Sequence, residues 1–255
     1  NCIKMCIGYC MTILTTQTIS LSDYYITSCT YTELCLRVLA LFKKNQFFHI
    51  TTLNPHILMG CESNANLKQW VLESQCIVSD GVGIQFAIYL LTGQWVQQLT
   101  GIQLALTVLE SGGFSCMLVG ASPESYTNAM DRIKSQFPKV HFLEGFHGYY
   151  PQDEWLTIIE AIKTRKPDLI LVGMGFPRQE AFLQTLSKQC NYGVGIGVGG
   201  VIDVFSQHCR WAPAWIRAIK LEWLYRGISN PKRLKTWGAL IQFIGWVLKK
   251  YIQKS

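Results

Sequence analysis

The chain has 255 residues, 49% of them apolar and 15% charged, and its 23 Lys/Arg against 16 Asp/Glu give a formal charge of +7. That apolar share excludes disorder and collagen-like repeats, and the length suits one large domain or a domain with an appendage. The charged share falls below the roughly 25% of a typical soluble domain, so part of the surface is expected to be covered by something other than water; no apolar run reaches the about 20 residues that span a bilayer, so an integral membrane protein is not expected.

Residues 1–20 read as an N-terminal extension of undefined pattern. Cys2, Cys6 and Cys10 are spaced by four, as on one helical face, but no His or acid joins them at ligand spacing and no C-x-x-C occurs, so no metal site is predicted. The ten cysteines, among them Cys76 and Cys116 inside apolar runs, read as packed free thiols of a reducing compartment. Asn1 opens no secretory signal, and the missing Met suggests a trimmed start.

Residues 21–203 carry a repeating unit, a short apolar run ending in Gly or a polar turn and followed by a helical stretch. Strands are predicted at 47–52, 75–79, 115–119, 139–143, 168–172 and 192–196, and helices at 55–72, 84–91, 123–137, 153–166 and 177–189. Pro55, Pro123 and Pro177 stand at helix starts, and Tyr126, Ala129, Met130, Ile133 and Phe137 mark one buried stripe. The alternation predicts an α/β fold, a Rossmann-like, mostly parallel sheet with helices on both faces. Ligands of such sheets collect at the carboxyl ends of the strands. Thr51, Thr52 and Asn54, Asp80 with Gly81 and Gly83, Gly120, Gly173 with Gly175, and Gly197 to Gly200 all fall just past a predicted strand. That edge is the expected site.

Asp80 follows the run Cys76 to Val78 and precedes Gly81-Val-Gly83; it reads as a base for a hydroxyl, if partial burial raises its pKa, or as a turn or cap residue. Gly195 to Gly200 matches G-x-G-x-x-G but lies in the last predicted strand, where close backbone packing competes with phosphate contact and with a nicotinamide-cofactor reading. In Gly173-Met-Gly-Phe-Pro-Arg-Gln-Glu180, Arg178 and Gln179 occupy a first helical turn whose free N–H groups favour an anion, or form a bare surface turn. His49, His56, His141, His147 and His208 show no ligand spacing, and neither a G-x-S-x-G elbow nor a P-loop occurs.

Residues 204–255 form a basic, Trp-rich appendage: ten Lys/Arg face the single acid Glu222, +9 against −2 for the rest. Trp211, Trp215, Trp223, Trp237 and Trp246 are interleaved with them. Indole and cation together suit an anionic membrane surface or a phosphate-rich ligand, with a solvated helical face as the other reading. Trp237, Leu240, Ile241, Ile244, Val247, Leu248 and Ile252 predict an amphipathic helix lying in a lipid interface, or one packed on its own domain.

In order along the chain, Thr52-Leu-Asn-Pro55, Asp80-Gly81, Thr100-Gly101, Phe146-His-Gly-Tyr-Tyr150, Gly173-x-Gly-x-Pro-x-Gln-Glu180, Gly197-Val-Gly-Gly-x-x-Asp203, Ala212-Pro-x-Trp215 and Leu221-Glu-Trp-Leu-Tyr-Arg226 with Pro231-x-Arg233 resemble the WecG/TagA/CpsF glycosyltransferases over residues 20–235. The resemblance implies a metal-independent, inverting transfer of an N-acetylhexosamine-type sugar, N-acetylmannosamine or its uronic acid, from a UDP donor. The implied acceptor is a polyprenyl-diphosphate-linked sugar at the cytoplasmic face of the membrane, in surface polysaccharide or teichoic acid synthesis. It implies Asp80 as general base, Thr52 and Asn54 lining the pocket, and Gln179 contacting the donor. Arg226 and Arg233 would close over the diphosphate, and Gly81, Gln98, Gly199, Gly200, Asp203 and Arg210 complete the expected substrate contacts. No cofactor and no nucleic-acid partner is expected; a homo-oligomer is allowed for.

Four positions depart from the family pattern. Gln98 replaces the usual Arg, Gln103 an Asp and Gln207 a Gly, while Trp211 stands in Arg-Ala-Pro with Arg210 displaced by one. Lost cations weaken leaving-group stabilisation, so a weakly active or inactive sugar-nucleotide-binding scaffold is the competing expectation.

Overall fold

The computed structural model describes residues 17–42, 44–206, 213, 216, 225 and 235–254. Cys2, Cys6 and Cys10, together with Gln207, Arg210, Trp211, Trp215, Trp223, Arg226 and Arg233, lie outside the described residues. Among the described residues the strands are β1 (Gln17–Leu21), β2 (Tyr24–Ser28), β3 (Phe48–Leu53), β4 (Cys76–Ser79), β5 (Ser115–Gly120), β6 (His141–Phe146), β7 (Leu169–Gly173) and β8 (Val194–Gly197). They form one sheet in the order β1-β2-β4-β3-β8-β7-β5-β6, parallel throughout except for the antiparallel β1–β2 pair. The mostly parallel α/β architecture expected from the alternation of elements is the one observed.

Among the described residues the helices include α1 (Tyr31–Leu41), α2 (Pro55–Ser63), α3 (Ala65–Leu72), α4 (Val82–Thr92), α5 (Gly101–Ser111), α6 (Pro123–Gln136), α7 (Trp155–Arg165), α8 (Arg178–Gln189), α9 (Val201–Phe205) and α10 (Lys235–Lys254). On one face of the sheet, α1, α5, α6 and α9 cover Phe48, Ile50, Val78, Leu118, Leu171 and Ile196. On the other, α2, α3, α4 and α10 cover Ile26, Leu53 and Ile77, and α7 and α8 cover Met117, Val119, Ile170 and Val172. Burial on both faces explains why the central strands are apolar without alternation.

Three elements go beyond the sequence reading. The β1–β2 hairpin turns at Ser22, whose φ is +55°, and adds the antiparallel edge. Helix α1 is opened by a capping box in which Thr30 and Glu33 satisfy each other's backbone N–H groups. Helix α5 starts at Thr100, whose hydroxyl accepts from the Gln103 N–H. The single helix expected over residues 55–72 is instead two. Asn64 adopts an extended conformation and its Oδ1 accepts from the N–H groups of Asn66 and Leu67, ending α2 and capping α3.

The C-terminal helix α10 docks on its own domain, packing against α2 and α4. Phe243 and Val247 are buried there, Trp246 Nε1 donates to Glu62 at 2.9 Å, and Lys254 donates to the Leu91 carbonyl. Glu62 also accepts from the Tyr24 hydroxyl at 3.0 Å and pairs with Lys68 at 3.1 Å. Burial works to raise its pKa, but the hydrogen bonds from Trp246, Lys68 and Tyr24 outweigh that and hold it below the usual carboxylate range. The outer flank of α10 stays apolar: Ile241 and Ile252 are each 73% exposed, and Ile244, Leu248 and Tyr251 are about half exposed.

Candidate functional site

After the hairpin the chain enters the sheet at β3, steps outward to β4 beside β2, then crosses to β5 and β6 and returns through β7 and β8 to lie against β3. The order therefore reverses between β3 and β8, and a crevice opens at the carboxyl ends of strands on either side of such a reversal. β4, β3 and β8 are consecutive neighbours, so their ends span two strand spacings, about 10 Å.

At the β4 end, the Asp80 N–H donates to the Leu53 carbonyl at 2.8 Å, extending the β3–β4 ladder by one residue and setting Asp80 beside Asn54. Gly81 then turns with φ +96° and ψ 151° into α4, a backbone conformation that a side chain would strain, and nothing lies within 4 Å of where a Cβ would project. At the β3 end, Asn54 caps α2 by accepting from the Ile57 N–H at 3.0 Å, and the buried Thr52 hydroxyl donates to the Gly197 carbonyl at 3.0 Å. Gly101, opening α5, packs over the same spot: a Cβ there would stand 3.4 Å from Gly197 O and 3.5 Å from Thr52 Oγ1. Gln98, half-buried, lies in the segment leading into that helix.

At the β8 end, the turn through Gly199 (φ +56°) and Gly200 leads into α9, which carries Asp203. From the opposite face of the sheet, the Gln179 side chain at the start of α8 grips this turn. Its Oε1 accepts from the Gly199 N–H at 3.0 Å and its Nε2 donates to Glu180 at 2.8 Å. Both ends of the amide are thus engaged inside the protein, and Gln179 is buried. Arg178 is exposed, and its guanidinium donates to the Tyr150 carbonyl at 2.7 Å. Helices α4, α8 and α9 all begin at this edge without a side-chain cap, so their first-turn N–H groups add positive potential to it.

The structure thus brings Thr52, Asn54, Asp80, Gly81, Gln179, Gly199 and Gly200 to one edge of three adjacent strands, with Gln98 and Asp203 on the flanking segments. Glu180 was not singled out from sequence as a site residue. It lies in the first turn of α8, three residues before Leu183 and four before Gln184, both buried, and that shared face is the signal that marks a buried acid. Burial pushes its carboxyl up to about 7 although the Gln179 bond works the other way. His49 and His56 are held down by burial, His49 to about 4, as expected of structural imidazoles.

Among the described residues no three His, Cys, Asp or Glu side chains converge as metal ligands, and no helix is long and apolar enough to cross a membrane. The six described cysteines are free thiols. A separate cavity of about 240 Å³, lined by Thr18, Thr27, Arg37, Gln75 and Ile77, opens beside the start of β4, at the far end of that strand from Asp80.

The profile of the glycosyl transferase WecG/TagA/CpsF family matches residues 19–255. Among curated proteins, an N-acetylglucosaminyldiphosphoundecaprenol N-acetyl-beta-D-mannosaminyltransferase of Staphylococcus aureus strain MW2 is 32% identical over 189 residues, 72% of this chain and 73% of its own. The proteins of the same description from strains NCTC 8325 and MRSA252 match at the same identity and coverage.

Proposed function

The chain belongs to the WecG/TagA/CpsF glycosyltransferase family, and on that premise we propose that it moves an N-acetylmannosamine-type sugar from a UDP donor to a polyprenyl-diphosphate-linked sugar. The observation that carries this reading is the meeting of Asp80, the Thr52–Gly197 bond and the Gly199 turn at the reversal of strand order. Asp80 takes the proton of the acceptor hydroxyl as its oxygen attacks the anomeric carbon. The bond from that carbon to UDP breaks on the opposite face, so the configuration inverts. A beta product, as the name of the Staphylococcus aureus relatives states, follows from an alpha-linked donor by one such displacement. The leaving diphosphate gains charge, which the uncapped helix starts and Arg210, Arg226 and Arg233 of the appendage neutralise without a metal.

The test supplies UDP-N-acetylmannosamine and N-acetylglucosaminyl-diphosphoundecaprenol to the purified chain in the presence of a chelator. One UDP is expected per beta-linked disaccharide-lipid formed, followed by mass spectrometry and NMR. UDP binding without any product, whichever N-acetylhexosamine donor is supplied, would leave a sugar-nucleotide-binding scaffold in its place.

The second part of the reading is peripheral attachment at the inner face of the cytoplasmic membrane. The exposed apolar flank of α10 carries Lys249 and Lys250 near its end, and α4, against which α10 packs, exposes Phe86 and Tyr89, with Trp95 following. Apolar and aromatic side chains beside lysines are what the interface of an anionic bilayer attracts. Ile244→Glu with Leu248→Glu is expected to weaken sedimentation with phosphatidylglycerol vesicles by about 100-fold or more, since two interfacial anchors are replaced by acids. Both positions face outward, so the circular dichroism should not change. Equal binding of the variant, or equal binding to vesicles of phosphatidylcholine alone, would remove the attachment.

A further inference from the structure

The Gly197–Gly199 turn is held from two faces of the sheet by a chain of hydrogen bonds. From β3 the Thr52 hydroxyl donates to the Gly197 carbonyl, and from α8 the Gln179 Oε1 receives the Gly199 N–H. A Cβ on Gly197 would sit 3.0 Å from Gln179 Nε2, so the amide lies directly on the strand end. With Oε1 committed to Gly199, Nε2 needs an acceptor in a place water does not reach, and Glu180 Oε1 supplies it at 2.8 Å. The other carboxyl oxygen, Oε2, is buried without a partner, and among the described residues Glu180 makes no ion pair.

We propose that Glu180 is a positioning residue for sugar transfer, which through Gln179 fixes the Gly197–Gly199 turn at the mouth of the crevice. The inference rests on the transferase reading. A carboxylate at 180 accepts from Gln179 in a charge-assisted bond and holds the amide harder than the neutral acid does. Since burial brings this group to about 7, its two states exchange across neutral pH. The surroundings offer little competing titration there. The Cys61 thiol of α2, which feels the Glu180 charge, is itself pushed up to about 12 by burial. His49 on β3 is pushed down to about 4 and is neutral near pH 7. On α3, Lys68 is paired with Asp23 and Glu62, and Glu73 at its end accepts from Gln184. On α7, Lys163 is paired with Glu160, and Arg165 with Glu144.

The experiment compares the native chain with Glu180→Gln and Glu180→Leu. In the native chain kcat/KM is expected to rise with pH along a limb centred near 7. Glu180→Gln keeps an acceptor for Gln179 and should lose that limb, while Glu180→Leu should lower kcat/KM by about tenfold or more through the orphaned amide. The Gly199 amide resonance reads the same titration without substrate: it should shift through neutral pH in the native chain and stay still in Glu180→Gln. A native chain that transfers no sugar sinks the transferase reading and leaves that shift in place. A Gly199 resonance that does not titrate, or titrates alike in Glu180→Gln, overturns the inference even where transfer proceeds.

Discussion

Asp80→Asn is expected to lower kcat for sugar transfer by about 10²- to 10⁴-fold, the usual contribution of a positioned general base, while UDP affinity stays within a few-fold of native. The substitution removes the proton acceptor and keeps the size of the side chain. The bond that seats residue 80 runs from its backbone N–H to the Leu53 carbonyl, so it does not depend on the side chain. The turn into α4 is set by Gly81 at φ +96°, which the substitution leaves alone. Stopped assays of UDP release on acceptor addition, with calorimetry of UDP binding, separate the two quantities. Undiminished turnover would take the base role away from Asp80; loss of both turnover and binding would make it a residue of the donor pocket instead.

Gly120→Ala is expected to destabilise the fold by about 3 kcal/mol or more, which for a chain of this size lowers Tm by about 6 to 12 °C. Gly120 ends β5 with φ +150°, and a Cβ there would lie 2.4 Å from both the carbonyl carbon and oxygen of Gly173 on β7. Both obstacles are backbone, so neither can rotate away. Relief requires β5 and β7 to part at their carboxyl ends, where the Ala121 N–H donates to the Gly173 carbonyl at 3.0 Å. Gly173 in turn packs on the Gly199 carbonyl, at 2.7 Å from where its own Cβ would be. The strain is therefore passed to the candidate site, and urea unfolding together with residual UDP binding should fall together.

The sheet was legible in the sequence because its central strands are short apolar runs that stop at glycine. The predicted segments at 115–119 and 168–172 became β5 and β7 almost unchanged. What the sequence hid were elements whose signals are side-chain hydrogen bonds rather than periodicity: the Thr30–Glu33 box that starts α1, the Thr100 cap of α5, and Asn64, which divides one amphipathic stretch in two. Residues of the candidate edge were visible because polar and glycine residues cluster past strand ends. Their partners were not, since pairing Thr52 with Gly197, or Gly199 with Gln179, depends on which strands become neighbours. Glu180 was hidden for a further reason: in a bare sequence an acid in a first helical turn reads as a favourable charge at the helix start, and only the packing of α8 on β3 and β8 shows it submerged.

The tail helix acts as a yoke. It grips two helices whose first residues follow Asn54 and Gly81: Phe243, near its middle, lies 3.4 Å from where a Cβ on Gly83 would stand, and Lys254 reaches the far end of α4. A push on its outer flank, whatever supplies it, bears on both loops at once, and loosening the Trp246–Glu62 clasp should unsettle the candidate crevice from behind.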